Sequence, residues 1–135
     1  MRPPFIATAA FPNGLLWLMS EDSKQIAVPD VDGVANFWSS ANAWGVSVQH
    51  DADGEVEVTV SKDPPTNPAL ALLHEGVLHS SRQLIDVETV YIDRIASFRA
   101  SSTDEVISIW GDDPRQPERV HIQCQGIDGE SCRDC

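Results

Sequence analysis

The sequence predicts a mainly β protein, an antiparallel β-sandwich or open barrel with one short helix. Three observations carry that expectation. Glu55 to Ser61 alternates strictly between valine and polar residues, short β-branched runs recur between turn residues further on, and helical spacing is confined to two brief stretches. With no βαβ alternation, the strands are expected to pair antiparallel. The 135 residues suit a single domain that buries roughly two thirds of its unfolded surface and needs no disulfide or metal to fold.

Residues 1–12 read as a loose N-terminal arm, whose apolar content is too short for a signal-peptide core. Gly14 to Met19 and Gln25 to Val28 flank the polar Glu21-Asp22-Ser23-Lys24 and read as a first hairpin. From Asp32 to Ala41, a capping Asp precedes apolar residues at 34, 37, 38 and 41, the spacing of one helical face, which predicts the short helix. Gly45 to Gln49 alternates and is followed by Asp51-Ala52-Asp53-Gly54, an Asp-Gly turn signal. The expected result is an antiparallel hairpin with Glu55 to Ser61, placing Val46, Val48, Val56, Val58 and Val60 on one face and Glu55 and Glu57 on the other. Pro68 to Glu75 fits either one helical turn or a buried strand. Ile85 to Tyr91, Val106 to Trp110 and Arg119 to Cys124 read as strands. Between the last two, Gly111 to Pro117 is a proline-bearing loop that links them as neighbours. Residues 125–135 read as a flexible, cysteine-containing tail.

The chain carries 21 Asp plus Glu against 9 Lys plus Arg, a formal charge of -12. Between Lys24 and Lys62 there are Asp30, Asp32, Asp51, Asp53, Glu55 and Glu57 and no Lys or Arg. Because the 41% hydrophobic content is ordinary for a folded domain, this charge is displayed on a folded surface. Such a surface repels nucleic acid and attracts basic proteins. Apolar runs such as Leu15 to Met19 fall far short of the ~20 residues a membrane span needs. The three cysteines fall within the last twelve residues rather than in a dispersed framework, so the expected compartment is the cytoplasm.

Catalytic and metal motifs fail on spacing. His74-Glu75 and His79 resemble a zinc-protease helix, but the histidines are five apart, which rotates the second by about 140° on a helix and puts the two on opposite faces of a strand. Asp51 to Glu55 lacks the third ligand position and terminal Glu of a calcium loop. His121, Cys124, Cys132 and Cys135 leave three readings open: a zinc clip, a disulfide between two of the cysteines, or free thiols. No nucleophile elbow, phosphate loop or dinucleotide fingerprint is present. The expectation is therefore a non-enzymatic protein with no metal or cofactor. The residues expected to meet a partner are Asp51, Asp53, Glu55 and Glu57 on the hairpin and Asp112 and Asp113 on the later loop. Trp44 is the expected aromatic anchor, with Trp38 and Tyr91 as further candidates, set against the reading of Trp38, Trp44 and Trp110 as core, where tryptophan is found more often than at contacts.

The stretch Asp32 to Gly76 holds a short helix with Phe37 and Trp38, a Trp44 to Gln49 strand, an Asp-Gly turn, the Glu55 to Ser61 strand and a proline-rich link. This order of features, about a third of the chain, resembles the nuclease inhibitors of the competence protein J type and, more broadly, bacterial toxin immunity proteins. The resemblance implies a small acidic cytoplasmic protein that binds a basic toxin, commonly a nuclease, and blocks its active site. The charge points the same way, since a site that grips phosphates is lined with Lys and Arg and attracts a folded acidic patch. The alternative is a structural or assembly β-module of a phage or secretion system, and a homodimer is compatible with either reading.

Overall fold

The computed structural model describes residues 5–20, 35–91 and 93–132. Its eleven strands are β1 (Phe5–Ala9), β2 (Leu15–Ser20), β3 (Phe37–Ser39), β4 (Ala43–Ser47), β5 (Val56–Ser61), β6 (Ala71–His79), β7 (Leu84–Glu88), β8 (Arg94–Ala100), β9 (Asp104–Gly111), β10 (Arg119–Cys124) and β11 (Ile127–Cys132). They form a β-sandwich. Sheet A has the order β1-β5-β10-β9-β6, and sheet B the order β11-β8-β7-β2-β4-β3. All pairs are antiparallel except β5 with β10.

Strict alternation does the work of building the core. Val56, Val58 and Val60 of β5 are fully buried, as are Ile107 and Ile109 of β9 and Ile122 of β10, with Leu16, Leu18, Ile85 and Val87 facing them from sheet B. Each such side chain contributes about 1.5–3 kcal/mol by leaving water. The partners alternate outward: Glu57 and Thr59 on β5 are half-buried, and Arg119 on β10 is exposed. The strands expected at Val106 to Trp110 and Arg119 to Cys124 form and pair as expected, and the one expected at Ile85 to Tyr91 forms as far as Glu88, after which the chain turns.

Four expectations are corrected. Gly45–Gln49 and Glu55–Ser61 do not form a hairpin: β4 lies in sheet B and β5 in sheet A, joined by a short 3-10 helix at Asp51–Asp53. Their valines still share one core, but from facing sheets. The helix expected over Asp32 to Ala41 gives way to β3, because period-2 placement lets Phe37 turn inward onto Trp44 while Trp38 lies outside against Gly45. Asp32 and the Gln25–Val28 strand lie outside the described residues, and the neighbours of β2 are β4 and β7. The loose arm fails for Phe5–Ala9, which pairs along the whole of β5 and buries Phe5. The flexible tail fails for Ile127–Cys132, which pairs with β8.

Of Pro68 to Glu75, the part from Ala71 onward falls in β6, an exposed edge strand rather than a buried one, with a register shift between Leu72 and His74. The link before it carries the chain from β5 past β10 and β9 to that edge. It crosses the outer face of sheet A, where His121 Nε2 donates to the Asp63 carbonyl at 2.8 Å. Among the described residues, no helix is long and apolar enough to cross a membrane.

Candidate functional site

The fold brings the expected acidic residues to one end of the sandwich. Asp51 and Asp53 sit on the 3-10 helix that closes β4, Glu55 and Glu57 begin β5, and Asp112 and Asp113 open the β9–β10 loop. Two backbone hydrogen bonds and one from a side chain knit these distant segments together. Gln49 N donates to the Pro117 carbonyl at 3.1 Å, Glu57 N to the Glu118 carbonyl at 2.8 Å, and Ser47 Oγ to the Arg115 carbonyl at 2.6 Å. The resulting end carries Asp51, Asp53, Glu55, Glu57, Asp112, Asp113 and Glu118 with Arg115 and Arg119 among them.

These carboxylates differ in what they do. Asp53 and Glu55 are exposed, and Asp51 lies 2.7 Å from His50 Nδ1. Asp112 shapes its loop: Oδ1 accepts from the backbone N–H of Glu118 and Arg119, and Oδ2 lies 3.9 Å from Arg119 Nη1. Asp113 Oδ1 accepts from the N–H groups of Gln116 and Arg115, and these bonds hold its carboxyl below the usual carboxylate range. Both acids accept backbone hydrogen bonds that set the loop's curvature, a role that sequence reasoning, which read them as an exposed charge cluster, did not see.

Trp44, the expected anchor, is corrected by the structure. It is 2% exposed, its ring edge-on to Phe37 at 5.2 Å and to His74 at 5.4 Å. Phe37 and His74 stack at 3.3 Å between centroids, closing the sandwich between β3 and β6, and burial pushes His74 below the usual histidine range. A cleft of about 290 Å³ opens beside this stack, lined by Phe37, Leu72, Leu73, His74 and Pro114 among others. Trp38 is half-buried. Tyr91 is 70% exposed. It stands on the β7–β8 turn, which the pairings of Leu15 with Ser47 and Trp17 with Glu88 place at the acidic end.

The other constellations resolve individually. His74 faces the core side of β6 while His79 pairs with Asp104 at 2.8 Å, so the two histidines diverge as a strand requires. Ser80, next to His79, is buried and donates its hydroxyl to the Leu84 carbonyl. His121 and Cys124 lie on opposite faces of β10, which separates two of the four donors of the zinc reading. Cys135 and the side chain of Cys132 lie outside the described residues. Among the described residues, no group of three or more His, Cys, Asp or Glu could hold a metal ion.

Cys124 is free and fully buried, donating its thiol to Glu105 Oε2 at 3.8 Å. Desolvation, followed by the Glu105 charge, pushes the thiol up to about 12. Because the folded state keeps the thiol protonated where the unfolded chain releases it, this contribution to stability is complete below the ordinary thiol range and is lost as pH rises towards about 12. Cys124 is expected to resist a thiol reagent at pH 8 in the folded protein and to react in urea, as located by peptide mapping. Equal labelling in both states would show that the thiol is accessible.

No family model matches the chain, and comparison with curated proteins finds no similar one. Among solved structures, ComJ from Bacillus subtilis, an inhibitor of the DNA degrading activity of NucA, superposes with a TM-score of 0.65. The match covers 92% of this chain and 97% of that one at 13% sequence identity. The two share a fold, as the resemblance over Asp32 to Gly76 implied.

Proposed function

We propose that this chain, which shares its fold with a nuclease inhibitor, is itself a stoichiometric inhibitor of a basic protein, a nuclease or related toxin, and acts by occupying the partner's phosphate-binding surface. The observation that carries this reading is the acidic end. Acids from two segments some sixty residues apart converge there beside an exposed tyrosine. A groove lined with Lys and Arg for phosphates offers the complementary charge, and docking there excludes nucleic acid by competition. No chemistry is required of the inhibitor, only residence. The cytoplasm, where such a toxin would have to be held in check, is the compartment this reading favours.

The test is capture followed by assay. The immobilised chain is exposed to an extract of its own cells at low salt, and bound protein is released by raising the salt. The expected eluate contains a basic protein that degrades plasmid DNA and is silenced by one equivalent of the chain. An eluate without nuclease activity, or with activity that survives a tenfold excess of the chain, would refute the reading.

A further inference from the structure

Resting on that reading, we infer that the β6–β9 half of the outer face of sheet A is the apolar contact that holds the basic partner once the acidic end has drawn it in. In β9, Ile107 and Ile109 face the core, so Val106, Ser108 and Trp110 face out. In β6, Gly76 and Leu78 face in, so Glu75 and Val77 face out. Register sets Val77 directly opposite Val106 and Leu72 opposite Trp110.

Val77 and Val106 are each 56% exposed, and Leu72 is exposed beside the half-buried Trp110. Isolated exposed apolar residues are ordinary, but neighbours in register on an open sheet face form a patch of the kind that marks an interface. Among the described residues, sheet B offers no equivalent at its corresponding positions: Trp17, Ala43, Gly45 and Asp86 face outward and are buried.

The patch also carries a fixed charge. Exposed Glu75 lies between the two apolar pairs, and its Oε2 accepts from Ser108 Oγ at 2.7 Å, while Ser108 itself is buried. A carboxylate held in one geometry spends little entropy on pairing with an incoming cation. A shallow cleft of about 260 Å³ beside it is lined by Glu75, Val106, Ser108, Gln123 and Gln125. Asp104 opposes His79 at one end of this half of the face, and Asp112 and Asp113 lie where β9 runs out into the acidic end.

This distribution selects the occupant. A second copy would set two chains of -12 against each other with their carboxylates juxtaposed. A basic protein supplies a Lys or Arg to Glu75, apolar side chains to the Val77–Val106 pair, and further cations to the acidic end. Long-range charge sets how fast such partners meet, and the desolvated apolar centre sets how long they stay.

The experiment places a photo-crosslinking amino acid at position 77, at 106, at 53 on the acidic end, or at 99 on the outer face of sheet B, in cells that make the chain. Adducts with a basic protein are expected from 77 and 106 and not from 99. With that partner purified, the uncharged, β-branched double variant V77T/V106T is expected to dissociate about tenfold faster or more, with its association rate unchanged within about twofold. Its melting curve should match the unaltered chain, since both positions are exposed. Adducts with a basic protein from 53 but not from 77 or 106 would overturn this surface and leave the inhibitor reading standing. Adducts between two copies of the chain would overturn the choice of occupant, and adducts with no basic protein from any position would defeat both readings.

Discussion

Replacing Trp44 with alanine is expected to lower the free energy of unfolding by about 3–5 kcal/mol, the cost of removing a large aromatic from a packed core. For a domain stabilised by roughly 5–15 kcal/mol, that is a large share of the total. The side chain is almost wholly buried and is the largest of the fully buried group, so little room exists for neighbours to close the gap. It also buttresses a second structure. Phe37 meets Trp44 edge-on, and His74 stacks on Phe37, so the contact between β3 and β6 across the open side of the sandwich leans on this ring. Loss of the indole leaves Phe37 and His74 without their shared wall and should loosen both edge strands. A urea titration checks this: the midpoint should fall with an unchanged slope, and Trp44→Phe should recover most of the loss. If Trp44→Ala instead unfolded at the original midpoint yet lost partner capture, the ring would be a contact and the burial argument wrong.

Why the sequence leaves Trp44 open between anchor and core, and the structure makes it core, is a matter of what local pattern contains. Alternation identified the faces of β5 correctly, because period 2 is a property of one strand. Which strand lies beside which is not. The Asp-Gly signal before Glu55 is a genuine turn, with Gly54 at φ 136°, but it turns the chain from one sheet to the other instead of back along its neighbour. Trp44 shares the parity of Val46 and Val48, so it lies on the core face, where it meets His74 of β6 across the sandwich. The helical spacing of Val34, Phe37, Trp38 and Ala41 was likewise outweighed by tertiary packing: β3 pairs with β4 and sends Phe37 and Trp38 to opposite sides. Parity held more information than was drawn from it. Once Ile107 and Ile109 are assigned to the core, Val106 must face out, and the exposed patch on sheet A is half visible in the sequence. Its partner Val77 was hidden because Pro68 and a run of helix-forming residues lead into β6, and only pairing with β9 fixes it as a strand. The convergence of Asp51 to Glu57 with Asp112 and Asp113 was beyond local reading, since it depends on the parallel pairing of β5 with β10.

That convergence governs the second large effect. Neutralising Asp51, Asp53, Glu55 and Glu57 together, as Asn and Gln, is expected to slow association with a basic partner by roughly 10- to 100-fold at low salt. The substitutions remove four charges from one end while leaving Asp112 and Asp113, whose carboxylates hold the β9–β10 loop, in place. The difference should shrink as salt rises, because the screening length falls from about 30 Å at 0.01 M to about 3 Å at 1 M and steering then vanishes for both proteins. Dissociation should change much less, being set by the apolar contact rather than by exposed rim charges. Stability should hold or rise slightly, since like charges are being removed from a chain at -12. Stopped-flow association across a salt series separates these terms. An association rate that keeps its salt slope after the four substitutions would locate the steering charge elsewhere and disconnect the acidic end from recognition.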